Sequence, residues 1–262
     1  MLTDHFVLRS EPPLAPIEIP AVEEVAEVKA GNDSSVLGLT ELLLKNPGRL
    51  DRLTRDEERQ PLLIPSFVAV GLASFSLFAL ALALTLNAAP RAALPALLAD
   101  RWEANAAGAA AALWLAYALG FTLTTGVCLP SFYFYGLLAG VRVSWLQVTA
   151  QIMKGQAATA VMLMGILPIY LATALGAVVF GVQLQVLRLV LYIGLGLPFL
   201  AGLWGVRSIH AGFVGLSDTL PPERRCRREC WLRRLTAACS ACYTAVCPVM
   251  IYTLWKFFVE QF

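Results

Sequence analysis

Charged residues are scarce in this chain. Asp, Glu, Lys and Arg make up 15% of its 262 residues, and hydrophobic residues make up 58%. Soluble domains are nearer a quarter charged and half apolar, so a soluble core of this length does not accommodate such an apolar excess. The net charge of +2 is too small to indicate nucleic-acid binding. The composition therefore predicts an all-α integral membrane protein.

The chain also lacks the sequence patterns of familiar enzymes. It contains neither G-x-S-x-G nor H-E-x-x-H, it has no glycine-rich phosphate loop, and its two histidines are His5 and His210. None of its long apolar segments contains Asp or Glu, although such residues usually mark a proton or ion pathway. We therefore predict a protein without catalytic residues, cofactor or metal.

Residues 1–35 are rich in proline and acidic residues. Such a segment offers too little apolar surface to offset the entropy lost on ordering. We expect a disordered cytoplasmic tail, which is either a simple leader or a partner-binding segment. Because Met1 to Ser10 lack a basic start and an apolar stretch, no signal peptide is expected.

The sequence pattern of residues 36–60 predicts two short amphipathic helices at the membrane surface. The first is expected from about Leu37 to Lys45. Asn46 then caps the second, which has Pro47 at its first position, where the missing N–H costs nothing. Basic side chains of this second helix are predicted to contact anionic lipid headgroups. They are Arg49, Arg52 and Arg55.

Five apolar segments follow within residues 61–262, each with at least the ~20 residues needed to cross a ~30 Å hydrocarbon core. The predicted spans lie at about 66–88, 106–135, 156–180, 186–206 and 235–258, with a basic cytoplasmic loop at 207–234. The second segment continues apolar from Ala106 to Val141. At about 54 Å it is too long for one straight span and too short for two. We expect a single span, kinked or broken at Pro130.

The distribution of Lys and Arg decides between these span counts. With five spans and a cytoplasmic N-terminus, sixteen of the twenty Lys and Arg residues lie inside and four outside. Splitting the second segment puts nine inside and eleven outside, so five spans are favoured. Further headgroup contacts are predicted in the basic loop, at Arg224, Arg225, Arg227 and Arg228.

Residues 141–156 show the periodicity of an amphipathic helix. Ser144, Gln147, Gln151 and Lys154 recur at steps of three and four and share one face. This pattern indicates a separate interfacial helix on the cytoplasmic side. The alternative is that these residues simply begin the third span.

Four cysteines lie close together, at Cys226, Cys230, Cys239 and Cys242. Four thiolates in a short stretch allow a zinc site, and the last two allow a redox pair. We favour a packing role, because the charge distribution puts these thiols on the reducing side of the membrane. Lipidation of Cys226 or Cys230 stays open.

Small residues and prolines dominate the remaining signals. Gly136-x-x-x-Gly140 predicts close helix packing, and Ala201-x-x-x-Gly205 is a weaker version. Kinked helices with threonines nearby either enclose a small polar cavity or simply pack a bundle. The candidate kinks are Pro130, Pro168, Pro198 and Pro248.

The layout resembles the YIP1 family of multi-pass membrane proteins. The resemblance covers about residues 38–258 and rests on three features: the stretch 42–50 before the first span, the small-residue hinge 137–140 leading to Ser144 and Gln147, and Pro168 in the third span. It implies five spans and a non-enzymatic membrane organiser or adaptor that binds other proteins.

Three functions remain as hypotheses. The first is a non-catalytic scaffold or accessory subunit that contacts the lipid bilayer and other membrane or cytoplasmic proteins, with self-association left open. The second is a small-solute channel or facilitator, and the third is a metal- or thiol-dependent membrane enzyme. The richness in Ala, Leu and Arg favours a bacterial inner membrane.

Overall fold

The computed structural model of the chain describes residues 35–56, 58–138, 144–217 and 225–261. The tail 1–34, Gly140 and Arg224 lie outside these described residues. Within them the structure has eight α-helices, one short 3-10 helix and no strand, so the all-α fold class is confirmed. The helices are α1 (Val36–Lys45), α2 (Pro47–Arg55), α3 (Gln60–Ala88), the 3-10 helix (Arg91–Ala93), α4 (Ala96–Ala104), α5 (Ala106–Leu138), α6 (Trp145–Val179), α7 (Leu184–Ser217) and α8 (Arg225–Gln261).

Local capping sets the start of both short N-terminal helices, which lie where the sequence predicts two. The Ser35 hydroxyl accepts from the N–H of Gly38 (3.0 Å) at the start of α1. The Asn46 side chain accepts from the N–H of Arg49 (3.3 Å), and Pro47 occupies the first position of α2. Each cap binds an N–H that the first helical turn leaves without a partner.

Four of the described helices are long and apolar enough to cross a membrane: α3, α5 over Ala106–Phe134, α6, and α7 over Leu184–Gly212. They contain the first four predicted spans. The outward side of α3 is typical, with Leu77, Leu80 and Leu84 all more than half exposed, as contact with lipid requires. The fifth predicted span lies within α8, which is not among these four, and its membrane crossing stays a prediction.

The second predicted span is one uninterrupted helix. α5 continues through Pro130 to Leu138, so the interpretation as a single helix agrees with the structure. Of the two alternatives at Pro130, the break is excluded and the kink stays a prediction. Proline removes one backbone hydrogen bond, and packing against neighbouring helices keeps the rest of such a ladder intact. At 33 residues α5 is about 50 Å long.

The separate interfacial helix predicted for residues 141–156 is also wrong. α6 begins at Trp145 and continues without interruption into the third span. Four of its polar side chains, those of Gln151, Lys154, Gln156 and Thr159, are buried within the bundle. A polar stripe that finds partners inside the protein has the same sequence pattern as one that faces water.

The basic loop predicted at 207–234 is largely helical. α7 extends to Ser217 and α8 begins at Arg225. Charged residues are excluded from the hydrocarbon core, but they are compatible with a helix that projects beyond it. The charge pattern therefore predicts where the helices leave the membrane, and it does not predict where they end.

The five long helices form a closed ring. α6 packs against α3 and α7, α5 packs against α3 and α8, and α8 packs against α7. Aromatic side chains fill the interior, where Phe75 of α3 stacks on Phe121 of α5 with ring centroids 4.3 Å apart. At the end of the bundle where α3 finishes, buried Trp102 donates its indole N–H to Asn87 (2.8 Å).

Two glycines allow α6 and α7 to pack closely. A Cβ placed on Gly205 would come within 2.6 Å of the carbonyl oxygen of Gly155 and would overlap the Thr159 hydroxyl. The weaker motif of the sequence, Ala201-x-x-x-Gly205, lies at this contact. Gly136, from the stronger motif, lies near the end of α5, and its surroundings lie outside what the structure describes.

We expect Gly205→Leu to destabilise the bundle, because its side chain has no space between α6 and α7. Overpacking of this kind costs about 1–3 kcal/mol, which lowers the melting temperature by several degrees. The matched control is Gly202→Ala, since a Cβ at Gly202 meets no atom within 4 Å. Thermal unfolding of the detergent-purified variants measures both. Equal melting temperatures would contradict the close contact.

Candidate functional site

The first half of α6 buries a row of polar side chains that we call the polar seam. Its members are Gln151, Lys154, Gln156 and Thr159, all buried. The residues that they face are far from them along the chain. Opposite them, α7 has small residues. Gly212 lies against Gln151 and Lys154, so that a Cβ there would be 3.4 Å from the Lys154 Nζ.

The Lys154 ammonium donates to the carboxylate of Asp51 on α2. The Lys154 side chain is 3% exposed and that of Asp51 25% exposed. A buried ammonium is tolerated only with a hydrogen-bonded counter-charge, and Asp51 supplies it. This pair joins α1 and α2, which we call the collar, to the bundle.

Apolar packing reinforces that attachment. Leucines from both collar helices are buried against α3 and α6, and a hydrogen bond closes the junction between α2 and α3, from Gln60 Nε2 to the Thr54 carbonyl (3.1 Å). The buried apolar residues of this contact are Leu39, Leu42, Leu50, Leu63, Phe67, Val70, Met153 and Ala157. The collar is therefore part of the folded core.

Two amides of the polar seam are under-satisfied within the described protein. Both polar atoms of the Gln151 side chain, and Oε1 of Gln156, are buried without a protein hydrogen bond. Gln156 uses its other atom, Nε2, to donate to Thr122 at 3.4 Å. Since buried polar groups are nearly always hydrogen-bonded, this region is suited to hold water or a polar ligand group.

A central cavity of about 70 Å³ lies where the five long helices meet. Aromatic rings, including Phe75 and Phe121, and polar groups, including Gln156, Thr159 and Tyr243, line it. A water needs about 10–15 Å³ of such space, so this cavity accommodates a few water molecules.

A larger cavity of about 410 Å³ lies between the collar, α6 and α7, and we call it the collar cavity. Polar groups, including Asp51, Lys154 and Arg207, line part of it, and Leu43 and Met162 are among its apolar lining residues. It is the more spacious of the two and is adjacent to the predicted membrane surface.

Two threonines of the second predicted span bond to their own helix. Thr124 and Thr125 donate to the carbonyls of Gly120 (2.7 Å) and Phe121 (2.9 Å), one turn earlier. Pro130, Pro168, Pro198 and Pro248 all lie inside helices. Near Pro198, the Tyr117 hydroxyl donates to the Leu195 carbonyl at 3.1 Å, in the turn where proline weakens the ladder.

The predicted headgroup arginines fall into two groups. Arg49 is half-buried and Arg52 and Arg55 are exposed on α2, so these three belong to the collar. Arg225, Arg227 and Arg228 lie in the first turns of α8, and their side chains lie outside what the structure describes.

The cysteine cluster lies along one helix. Cys226, Cys230, Cys239 and Cys242 all belong to α8, and the first and last are about 24 Å apart along its axis. The side chains of these four cysteines lie outside what the structure describes. Among described side chains, no group of three or more His, Cys, Asp or Glu is placed to hold a metal.

The sequence interpretation missed the pairing of Asp51 with Lys154. The available signal was weak: one acid among the arginines of α2, and one lysine on the polar stripe of α6. Because 103 positions separate them, neither local periodicity nor capping reveals their contact.

Comparison with protein-family models, curated proteins and solved structures finds no match to this chain. The features of the molecule that bear on its function are the collar, the polar seam and the two cavities.

We expect the removal of Asp51 and the removal of Lys154 to lower the free energy of unfolding by different amounts. Asp51→Asn leaves a buried ammonium without its counter-charge, at a cost of about 3–5 kcal/mol. Lys154→Met costs less, because Asp51 is partly exposed and reaches water. Thermal unfolding of the two variants and of the double variant measures this coupling.

The control for this cycle is Lys45→Gln, which removes an exposed ion pair between Lys45 and Glu41 on α1. Exposed pairs contribute little, so no measurable change is expected. If Asp51→Asn behaves like this control, Lys154 does not depend on Asp51.

Proposed function

We propose that this protein is a non-catalytic membrane scaffold or accessory subunit, similar in layout to the YIP1 family. In this proposal the collar presents a basic surface to anionic lipid and to protein partners. The observation that carries it is the attachment of the collar to the bundle through the Asp51–Lys154 pair and its leucine core.

Attachment matters because short helices are marginally stable by themselves in water. With 10 and 9 residues, α1 and α2 depend on packing against the bundle. Their orientation relative to the membrane-crossing helices is therefore set by the fold. A surface held in this way suits a protein that positions partners beside the bilayer.

The outer side of the collar combines positive charge with apolar surface. Arg52 and Arg55 are exposed on α2, and each basic residue near an anionic membrane surface contributes about 1 kcal/mol of attraction. On α1, Leu37 is 83% exposed. This combination is typical of elements that lie at a membrane interface.

For the location we propose a bacterial inner membrane with a cytoplasmic N-terminus. Support comes from the asymmetry of Lys and Arg along the chain and from the basic collar preceding the first membrane helix. Both the collar and the basic start of α8 then lie on the cytoplasmic side.

A small-solute facilitator is the second candidate. The unpartnered Gln156 Oε1 beside the central cavity favours it. The cavity is small, however, and the stacked Phe75 and Phe121 rings are part of its lining. Solute uptake by proteoliposomes tests this candidate directly.

We expect reversal of charge on the collar to separate the protein from its partner. After in-cell cross-linking and mild detergent extraction, the wild type should co-purify with a partner, and Arg52→Glu/Arg55→Glu should lose most of it. Arg101→Glu is the matched control, because Arg101 is exposed on α4, beyond the other end of α3. A wild-type protein that is a solitary monomer without cross-linked partners would overturn the scaffold proposal.

The five-span arrangement makes a separate prediction about the chain ends. Reporter tags before Met1 and after Phe262 should be accessible from opposite sides of the membrane. Tags on the same side would mean that α8 does not cross. That result would leave the four apolar helices in the bilayer and remove the fifth span.

A further inference from the structure

The collar cavity has the size and the lining of a binding site for an amphiphile. Its volume of about 410 Å³ lies within the range of about 300–1,000 Å³ typical of small-molecule sites. Small side chains, Ala158 of α6 and Ala211 of α7, are among the residues that line it. On the collar side it is lined by Leu43, Leu44, Leu50 and Asp51.

The polarity of this cavity changes along α6. Lys154, paired with Asp51, lies at the polar end, whereas Val161 and Met162 lie about 12 Å further along the helix axis. Leu43 and Leu44 of α1 contribute further apolar surface. A ligand with one charged end and one apolar end matches this gradient.

The charge at the polar end favours an anion. Lys154 and Asp51 neutralise each other, which leaves Arg207 as the uncompensated charge of the lining. Arg207 forms no ion pair with a described residue, and its guanidinium lies 5.8 Å from the centre of the Trp204 ring. Ser208 lines the same cavity and offers a hydroxyl donor. A guanidinium with a neighbouring hydroxyl suits a phosphate.

We propose that the collar cavity binds one anionic phospholipid, with its phosphate at Arg207 and Ser208 and an acyl chain between α1 and α6. Met162 suits the chain end, because its flexible side chain adapts to irregular apolar ligands. The site is distinct from the arginines on the outer side of α2 and extends beyond the scaffold function.

Native mass spectrometry of the full-length protein in neutral detergent tests this site. Phosphatidylglycerol and phosphatidylcholine with the same acyl chains are the probes. We expect one phosphatidylglycerol per protein, bound about five- to tenfold more tightly than phosphatidylcholine. Arg207→Gln, at an exposed position, should remove this preference without affecting folding.

Two further variants separate the cavity from general surface charge. Arg101→Gln removes an exposed arginine of α4, outside the cavity and away from the collar, and should leave phosphatidylglycerol binding unchanged. Ala158→Phe fills the cavity and should weaken both lipids, in protein whose melting temperature shows that it is folded. If Arg101→Gln and Arg207→Gln reduce binding equally, or if neither does, the proposal is wrong.

Two outcomes would identify a different occupant. Glycerol 1-phosphate, which carries the headgroup chemistry without chains, should not displace the lipid at millimolar concentration; displacement would indicate a site for a soluble phosphate ester. A photoreactive residue at position 162 should cross-link to lipid. Cross-linking to residues 1–34 instead would show that the chain itself occupies the cavity, and would overturn the lipid proposal.

Discussion

A lysine ammonium buried in an apolar bundle requires a counter-charge, and the arrangement of one end of this molecule follows from that requirement. Lys154 is almost fully buried, and Asp51 reaches it from α2. The pair allows the polar face of α6 to point inward, and it fixes the collar over the start of α3 and α6. Because the charges of Lys154 and Asp51 cancel, Arg207 determines the net charge of the residues that line the collar cavity.

Small residues around this pair serve both packing and binding. Gly205 and Gly155 bring α6 and α7 close together, and Gly212 makes room for Gln151 and Lys154. On the side facing the collar, Ala158 and Ala211 line open space. Close backbone contact in membrane bundles depends on such residues. Where the collar lies over α6 and α7, the same small side chains leave volume for a ligand.

The polar groups that are suited to bind a ligand lie near one end of the bundle. The middle is filled by stacked aromatic rings such as Phe75 and Phe121, and Thr124 and Thr125 bond to their own helix. By contrast, the collar end combines an ion pair, the unpartnered amide of Gln151 and the larger cavity. A protein built in this way suits recognition at the membrane surface better than transport through the centre.

The sequence by itself determined the membrane-bundle class, four long apolar helices and the start of α2 at Asn46 and Pro47, because run length and capping are local properties. It did not determine the continuity of α5 and α6, the helical content of 207–234, or the partner of Lys154. Those depend on contacts between residues far apart in the chain. A polar stripe has the same sequence pattern whether it faces water or a carboxylate within the protein. Only the packing of α2 against α6 decided that Lys154 contacts a carboxylate.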